Sequence, residues 1–141
     1  MKTTFIALMA CFALLVSAEN KINSASDSFN FTSSQMHFQL SLPVEWQNKI
    51  VNEESENSVV FRYTNPGYSK PVFLFAINKV SEKLWMDLKE NIYSGMVLIH
   101  QDGNIVYSET TRENSLRGKN NEEFKQMLAR VNEVVKTFKE I

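Results

Sequence analysis

The chain has 141 residues, with 15 Lys and Arg against 16 Asp and Glu, a formal net charge of −1 and a single cysteine, Cys11. That balance gives no basic footprint for a nucleic acid, and one cysteine allows neither an intramolecular disulfide nor a cysteine-built zinc centre. A chain of this length is expected to form one ordinary domain.

Residues 1–18, MKTTFIALMACFALLVSA, carry one charge (Lys2), an apolar run over 5–16, and then Ser17 and Ala18. A charged start, an apolar middle and small residues at the cut describe a secretory signal peptide cleaved after Ala18. The run is shorter than the ~20 apolar residues that a bilayer span needs. Leu8-Met9-Ala10-Cys11 also resembles the lipobox of bacterial lipoproteins. Only residues 5–10 precede that cysteine and the apolar run continues past it, so lipid anchoring through Cys11 is the secondary expectation. Cleavage after Ala18 discards Cys11 and Lys2, leaving a thiol-free chain whose formal charge moves from −1 to −2. The expected location is outside the cytoplasm, periplasmic or secreted, with no membrane span in the mature chain.

Residues 19–28, ENKINSASDS, are polar and aperiodic and read as a flexible tether. Alternation begins at residue 29. Phe29 and Phe31 share one face; Met36, Phe38, Leu40 and Leu42 share another, with His37, Gln39 and Ser41 pointing away. This predicts a hairpin turning at Ser33 and Ser34. Pro43 has no N–H for a ladder and stops the strand, and Trp46 reads as the aromatic anchor of the corner that follows. Residues 49–51 resume as a short strand, 52–57 (NEESEN, with Glu53, Glu54 and Glu56) read as a solvated hairpin loop, and SVVFRYTN (58–65) reads as a strand with Val59, Phe61 and Tyr63 on one face.

VFLFAI (72–77) is apolar on both faces, as a central, doubly covered strand would be. Ser81 can cap a short helix that places Leu84, Trp85, Leu88 and Ile92 on one side, with Trp85 as its anchor. Residues 95–110, GMVLIHQDGNIVYSET, form the clearest hairpin, turning at Asp102 and Gly103. Residues 114–120 read as a polar loop. Phe124, Met127, Leu128, Val131, Val134, Val135 and Phe138 then recur at helical spacing, with Asn120 and Glu123 as a capping box. The expectation is an α+β domain over 29–141. It has an antiparallel sheet of about six strands, a long C-terminal helix packed on it, and a short helix before the last hairpin.

In order, FQLSLPVEWQNKIV, SVVFRY, VFLFAI, SEKLWMDL, NIVYSET and EEFKQMLARVNEVVKTF resemble a broad group of small exported bacterial proteins of unknown function. Their shared features are a strand ending Leu-Pro-x-x-Trp and a C-terminal helix ending near Ser/Thr-Phe, which Thr137 and Phe138 match. The layout is similar to the PsbP-like fold, an antiparallel sheet sandwiched by helices. That fold includes extrinsic photosystem subunits, a nuclear-transport cofactor and envelope proteins, so the resemblance implies a fold and no particular activity.

Chemical candidates are few. His100 and Asp102 are two apart, but Asp102 belongs to the turn, and an exposed turn outweighs a general base or metal pair. His37 has no acid or second histidine nearby in sequence, and the Glu53, Glu54 and Glu56 cluster lacks the ligand spacing of a calcium loop. No phosphate-cradling glycine loop or nucleophile elbow is present. No catalytic residue, metal site or cofactor is therefore expected. The leading expectation is an exported, non-enzymatic domain that contacts a protein partner through a sheet edge or exposed strand face. The alternative is a binder of small apolar ligands, with a cavity between sheet and helix lined by phenylalanines. Pro43, Trp46, Trp85, Asp102, Gly103, Phe124 and Phe138 are the residues expected to anchor the fold.

Overall fold

The computed structural model describes residues 27–67, 70–91, 95–111 and 116–141. Among them run β1 (Ser28–Ser33), β2 (Phe38–Pro43), a 3₁₀ turn (Val44–Trp46), β3 (Ile50–Ser55), β4 (Ser58–Tyr63), β5 (Val72–Ser81), α1 (Glu82–Lys89), β6 (Met96–Asp102), β7 (Asn104–Thr110), α2 (Gly118–Val135) and β8 (Lys139–Glu140). The domain is α+β and every strand pair is antiparallel. The expected signal peptide and most of the tether lie outside the described residues; Ser28, the tether's last residue, already opens β1.

The strands form two sheets, of three strands (β1-β2-β8) and five (β3-β4-β5-β7-β6), which corrects the expectation of one sheet of about six. Pro43 is the point of division. It is the last residue of β2, with φ −56° and ψ 137°, and has no N–H to extend the ladder. The chain then bends through Gln47 N–H to Val44 O (3.1 Å) and Lys49 N–H to Trp46 O (2.9 Å). Val44 N–H to Asp27 O (2.8 Å) ties the corner to the start of β1. β3 thus leaves in a new direction and founds a second sheet. Strand β8 joins β2 from the other end of the chain (Phe38 opposite Glu140), a pairing with no local signature in the sequence.

One core fills the space between the two sheets and α2. Phe31 of β1 meets Phe61 of β4 edge-on at 4.9 Å, Phe61 stacks on Phe75 of β5 at 4.4 Å, and Tyr63 meets Phe124 of α2 at 5.9 Å. Leu74, Phe75, Ala76 and Ile77 are all buried, as expected for a strand with neighbours on both edges and cover on both faces. Strand alternation sends Val106 into the core and Tyr107 to the opposite face, where Trp85 of α1 lies 5.2 Å from it.

Several local expectations change. Met36 and His37 are not in the second strand. Residues 34–37 form the turn, Ser33 Oγ accepts from Met36 N–H (3.1 Å), and His37 takes φ 56°. Of the acidic 52–57 segment only Glu56 and Asn57 form the hairpin turn, because β3 runs to Ser55 and pairs Glu53 and Glu54 with Val60 and Val59. Cross-strand pairing overrides the weak strand propensity of glutamate. The Asn120–Glu123 capping box is absent: α2 starts earlier, at Gly118 (φ 62°), so both residues fall inside the helix and bond to other elements. Residues 118–120 are therefore helix rather than loop. The helix also stops at Val135, leaving Phe138 beyond it. Ser81 does cap α1, its Oγ accepting from Leu84 N–H at 3.2 Å.

Candidate functional site at the free edge of the larger sheet

The five-stranded sheet ends in β3 and β6, and the two edges differ in chemistry. β3 carries Glu53, near Arg62 (4.0 Å), and Glu54, whose carboxylate accepts from Ser33 Oγ (2.9 Å) on β1. Charge blunts this edge and one hydrogen bond ties it to the smaller sheet, both common guards against unwanted strand pairing. β6 begins Met-Val-Leu-Ile, with no Asp, Glu, Lys or Arg before Asp102 at its end, and Val97 and Leu98 are 39% and 48% exposed. Among the described residues it pairs only with β7.

Beside β6 lies an open groove of about 550 Å³, closed on its far side by the end of α2 and by β8. Residues 97–100 all line it, with Val135 and Phe138 opposite. A regular strand would present only alternate side chains. The register shifts between Leu98 and His100, and such a bulge twists an edge strand and re-aims its side chains. The far wall is braced. Phe138 stacks on Phe38 at 5.0 Å, and Ser41 N–H donates to Thr137 Oγ1 (2.8 Å), which donates to Val134 O (2.6 Å). His100 Nε2 is 3.2 Å from Glu140 Oε1 across the groove, an ionic contact once the ring is protonated. Nε2 is shielded from solvent and makes no well-aligned hydrogen bond among the described residues.

The residues singled out in the sequence do not converge here. Trp46 is 1% exposed beneath the corner, Phe124 is fully buried under α2, and Pro43 is buried at the end of β2. Asp102 pairs with Asn104 across Gly103, whose φ of 72° favours glycine. Trp85 is half-buried against Tyr107, and no residue of α1 is fully buried; Ile92 lies outside the described residues. His37 is in a turn, its carbonyl accepting from Ile141 N–H (3.0 Å). Of the residues singled out, Val135, Phe138 and His100 reach the groove. Composition missed the groove itself, whose one sequence signal is the uncharged run 96–99 on a strand next to a chain turn.

The core phenylalanines pack on one another, so the groove lies outside them. A second concavity, of about 470 Å³, sits on the α1 side of the larger sheet and is polar. Its Asn78 is already bonded, accepting from Ser58 Oγ at Oδ1 (2.8 Å) and donating Nδ2 to Glu109 Oε2 (3.3 Å). Burial, with the Glu109 charge beside it, pushes the Tyr107 phenol up from its ordinary value and keeps it protonated.

Glu123 accepts from Lys49 Nζ and from Tyr63 OH, each at 2.8 Å. The Lys49 contact, opposed by partial burial and aided by Tyr63, holds this carboxyl below its usual 4.5. A depressed folded-state pKa adds stability that is present above 4.5 and is lost as pH falls through the lower folded value. Glu123→Gln is therefore expected to be less stable than wild type at pH 7. The gap should stay under about 1 kcal/mol, because the pair is partly solvated, and should narrow as the pH is taken from 7 to well below 4.5. Denaturant midpoints at the two pH values measure it, and a gap that persists undiminished at acid pH would mean that the Lys49 pair is not its source.

Among the described residues, no group of three or more His, Cys, Asp or Glu side chains is placed to hold a metal ion. None of the described helices is long and apolar enough to cross a membrane. No family model matches this chain, and comparison with curated proteins and with solved structures gives no match either.

Proposed function

We propose that this protein is an exported, non-enzymatic domain that docks a protein partner along the free edge of β6. The observation that carries this reading is the asymmetry of the two edges. β3 is charged and tied down, whereas β6 presents uncharged, half-exposed residues beside a braced apolar groove. An unpaired edge offers backbone donors and acceptors to an incoming strand, and the groove offers apolar contact to its side chains. The apolar start of the chain supports export, and helices on both faces of the larger sheet support the PsbP-like arrangement.

A photo-crosslinking residue at Leu98, compared with one at Val51 on β3, tests the docking in cells that make the protein. One protein captured from position 98, absent from position 51 and lost on adding Val97→Lys, is the expected result. Equal capture from both positions, or none, would refute it. The mass of the exported chain should begin at Glu19; a chain retaining residues 1–18 would remove the export half of the proposal. The groove volume also lies in the range of small-ligand sites, roughly 300–1,000 Å³, which favours an apolar small molecule as the second reading. A bound lipid or metabolite in the native mass spectrum, with no crosslinked protein, would select it.

A further inference from the structure

We infer that His100 and Glu140 form a proton-operated clasp across the docking groove. With the imidazole charged, it holds β8 against β6 and keeps the far wall firm; as the ring is neutralised, β8 loosens. This inference concerns regulation of the groove and rests on the docking reading above.

The clasp is a contact between the edges of the two sheets on the groove side. β6 ends the larger sheet and β8 ends the smaller one, and the 3.2 Å approach of His100 Nε2 to Glu140 Oε1 spans the gap between them. β8 is otherwise thinly held. It has two exposed residues, two register pairs with β2, and the Ile141 N–H bond to His37 O.

Shielding of Nε2 matters here, because a buried polar nitrogen needs a partner and Glu140 is the group positioned to serve. A nitrogen facing a carboxylate oxygen must carry a proton. Since the contact is poorly aligned for a hydrogen bond, its strength depends on the charge of the ring rather than on geometry. Imidazole is the side chain whose charge changes within the ordinary physiological range.

The other groups around His100 set the sign. Glu140 on β8 attracts the ring when it is charged. Lys136 on α2 also lines the groove and opposes it. β7 places uncharged Val106 opposite His100, and on β6 itself Asp102 follows two residues later. The nearest contact is with the carboxylate, so protonation tightens the clasp.

Amide exchange at Ile141, corrected for the intrinsic rate at each pH, reads β8 without any partner. Protection is expected to be about two- to fivefold greater at pH 5.5 than at pH 8, the scale of one partly exposed ion pair. His100→Gln and Glu140→Gln should each flatten this difference, while amides of β5 remain unchanged in all three proteins. Equal protection at both pH values in the wild type, or a dependence that survives His100→Gln, overturns the clasp. Crosslinking from position 98 at the same two pH values tests the regulation. Capture should weaken at pH 8 in the wild type and not in His100→Gln. A pH-dependent Ile141 amide with pH-independent capture would overturn the regulation alone. No capture at either pH would count against the docking reading, leaving the clasp to be judged by exchange.

Discussion

Replacing Trp46 with alanine is expected to destabilise the fold by about 3–5 kcal/mol, the range for emptying a large buried aromatic site. Trp46 is 1% exposed although it sits in a connection rather than in a strand or long helix. Its ring lies 6.4 Å from that of Phe75, and α2 covers the corner through Glu123, Met127 and the Arg130 pair with Glu45. The sheet and α2 are both held by other contacts, so they cannot collapse into the vacated space, and the cavity cost is added to the lost transfer energy. Trp46→Phe should lose less, because it leaves a smaller void. Denaturation monitored by circular dichroism would give the values, since Trp46 itself supplies much of the fluorescence signal. A loss below ~1 kcal/mol, with crosslinking at position 98 abolished, would make the corner a binding element instead of a packing one.

How this corner was legible in sequence, and the rest was not, follows from where each signal resides. Pro43 and Trp46 act locally: a missing N–H ends a ladder wherever it occurs, and a large ring three residues later has to be buried close by. The Asp102–Gly103 turn, the Ser81 cap and the helical stripe from Phe124 to Val135 are likewise written within a few residues of where they act. Sheet membership is not. Nothing near Lys139 and Glu140 shows that they pair with β2. Nothing near Glu53 and Glu54 shows that β4 will draw them into an edge strand. Asn120 and Glu123 had the spacing of a capping box, yet Asn65, Lys49 and Tyr63 claim those side chains, and the helix begins two residues before Asn120. The groove belongs to the same class of feature. Its two walls come from β6 and from the segment after α2, brought together only by the pairing of distant strands.

Phe38→Ala is the second substitution with a large expected effect, about 3–5 kcal/mol, and it links the core to the groove. Phe38 is fully buried and opens β2 where the turn at His37 ends. On one side its ring lies tilted against Phe31 at 6.2 Å; on the other it stacks on Phe138 at 5.0 Å. Aromatic pairs of this kind add about 0.5–1.5 kcal/mol beyond burial. Phe138 is only partly buried, because its other side forms groove wall. Removing Phe38 therefore empties a core site and takes away the support behind that wall. The two consequences separate by substitution. Phe138→Ala removes the wall from a half-exposed position, so it should cost less stability than Phe38→Ala while reducing capture from position 98 as severely. Phe38→Leu keeps most of the volume and should preserve much of both. Chemical denaturation followed through tryptophan fluorescence, with the crosslinking assay run on the same proteins, gives both readouts. If Phe138→Ala leaves capture intact, the groove wall takes no part in docking, and the partner holds to the backbone of β6 alone.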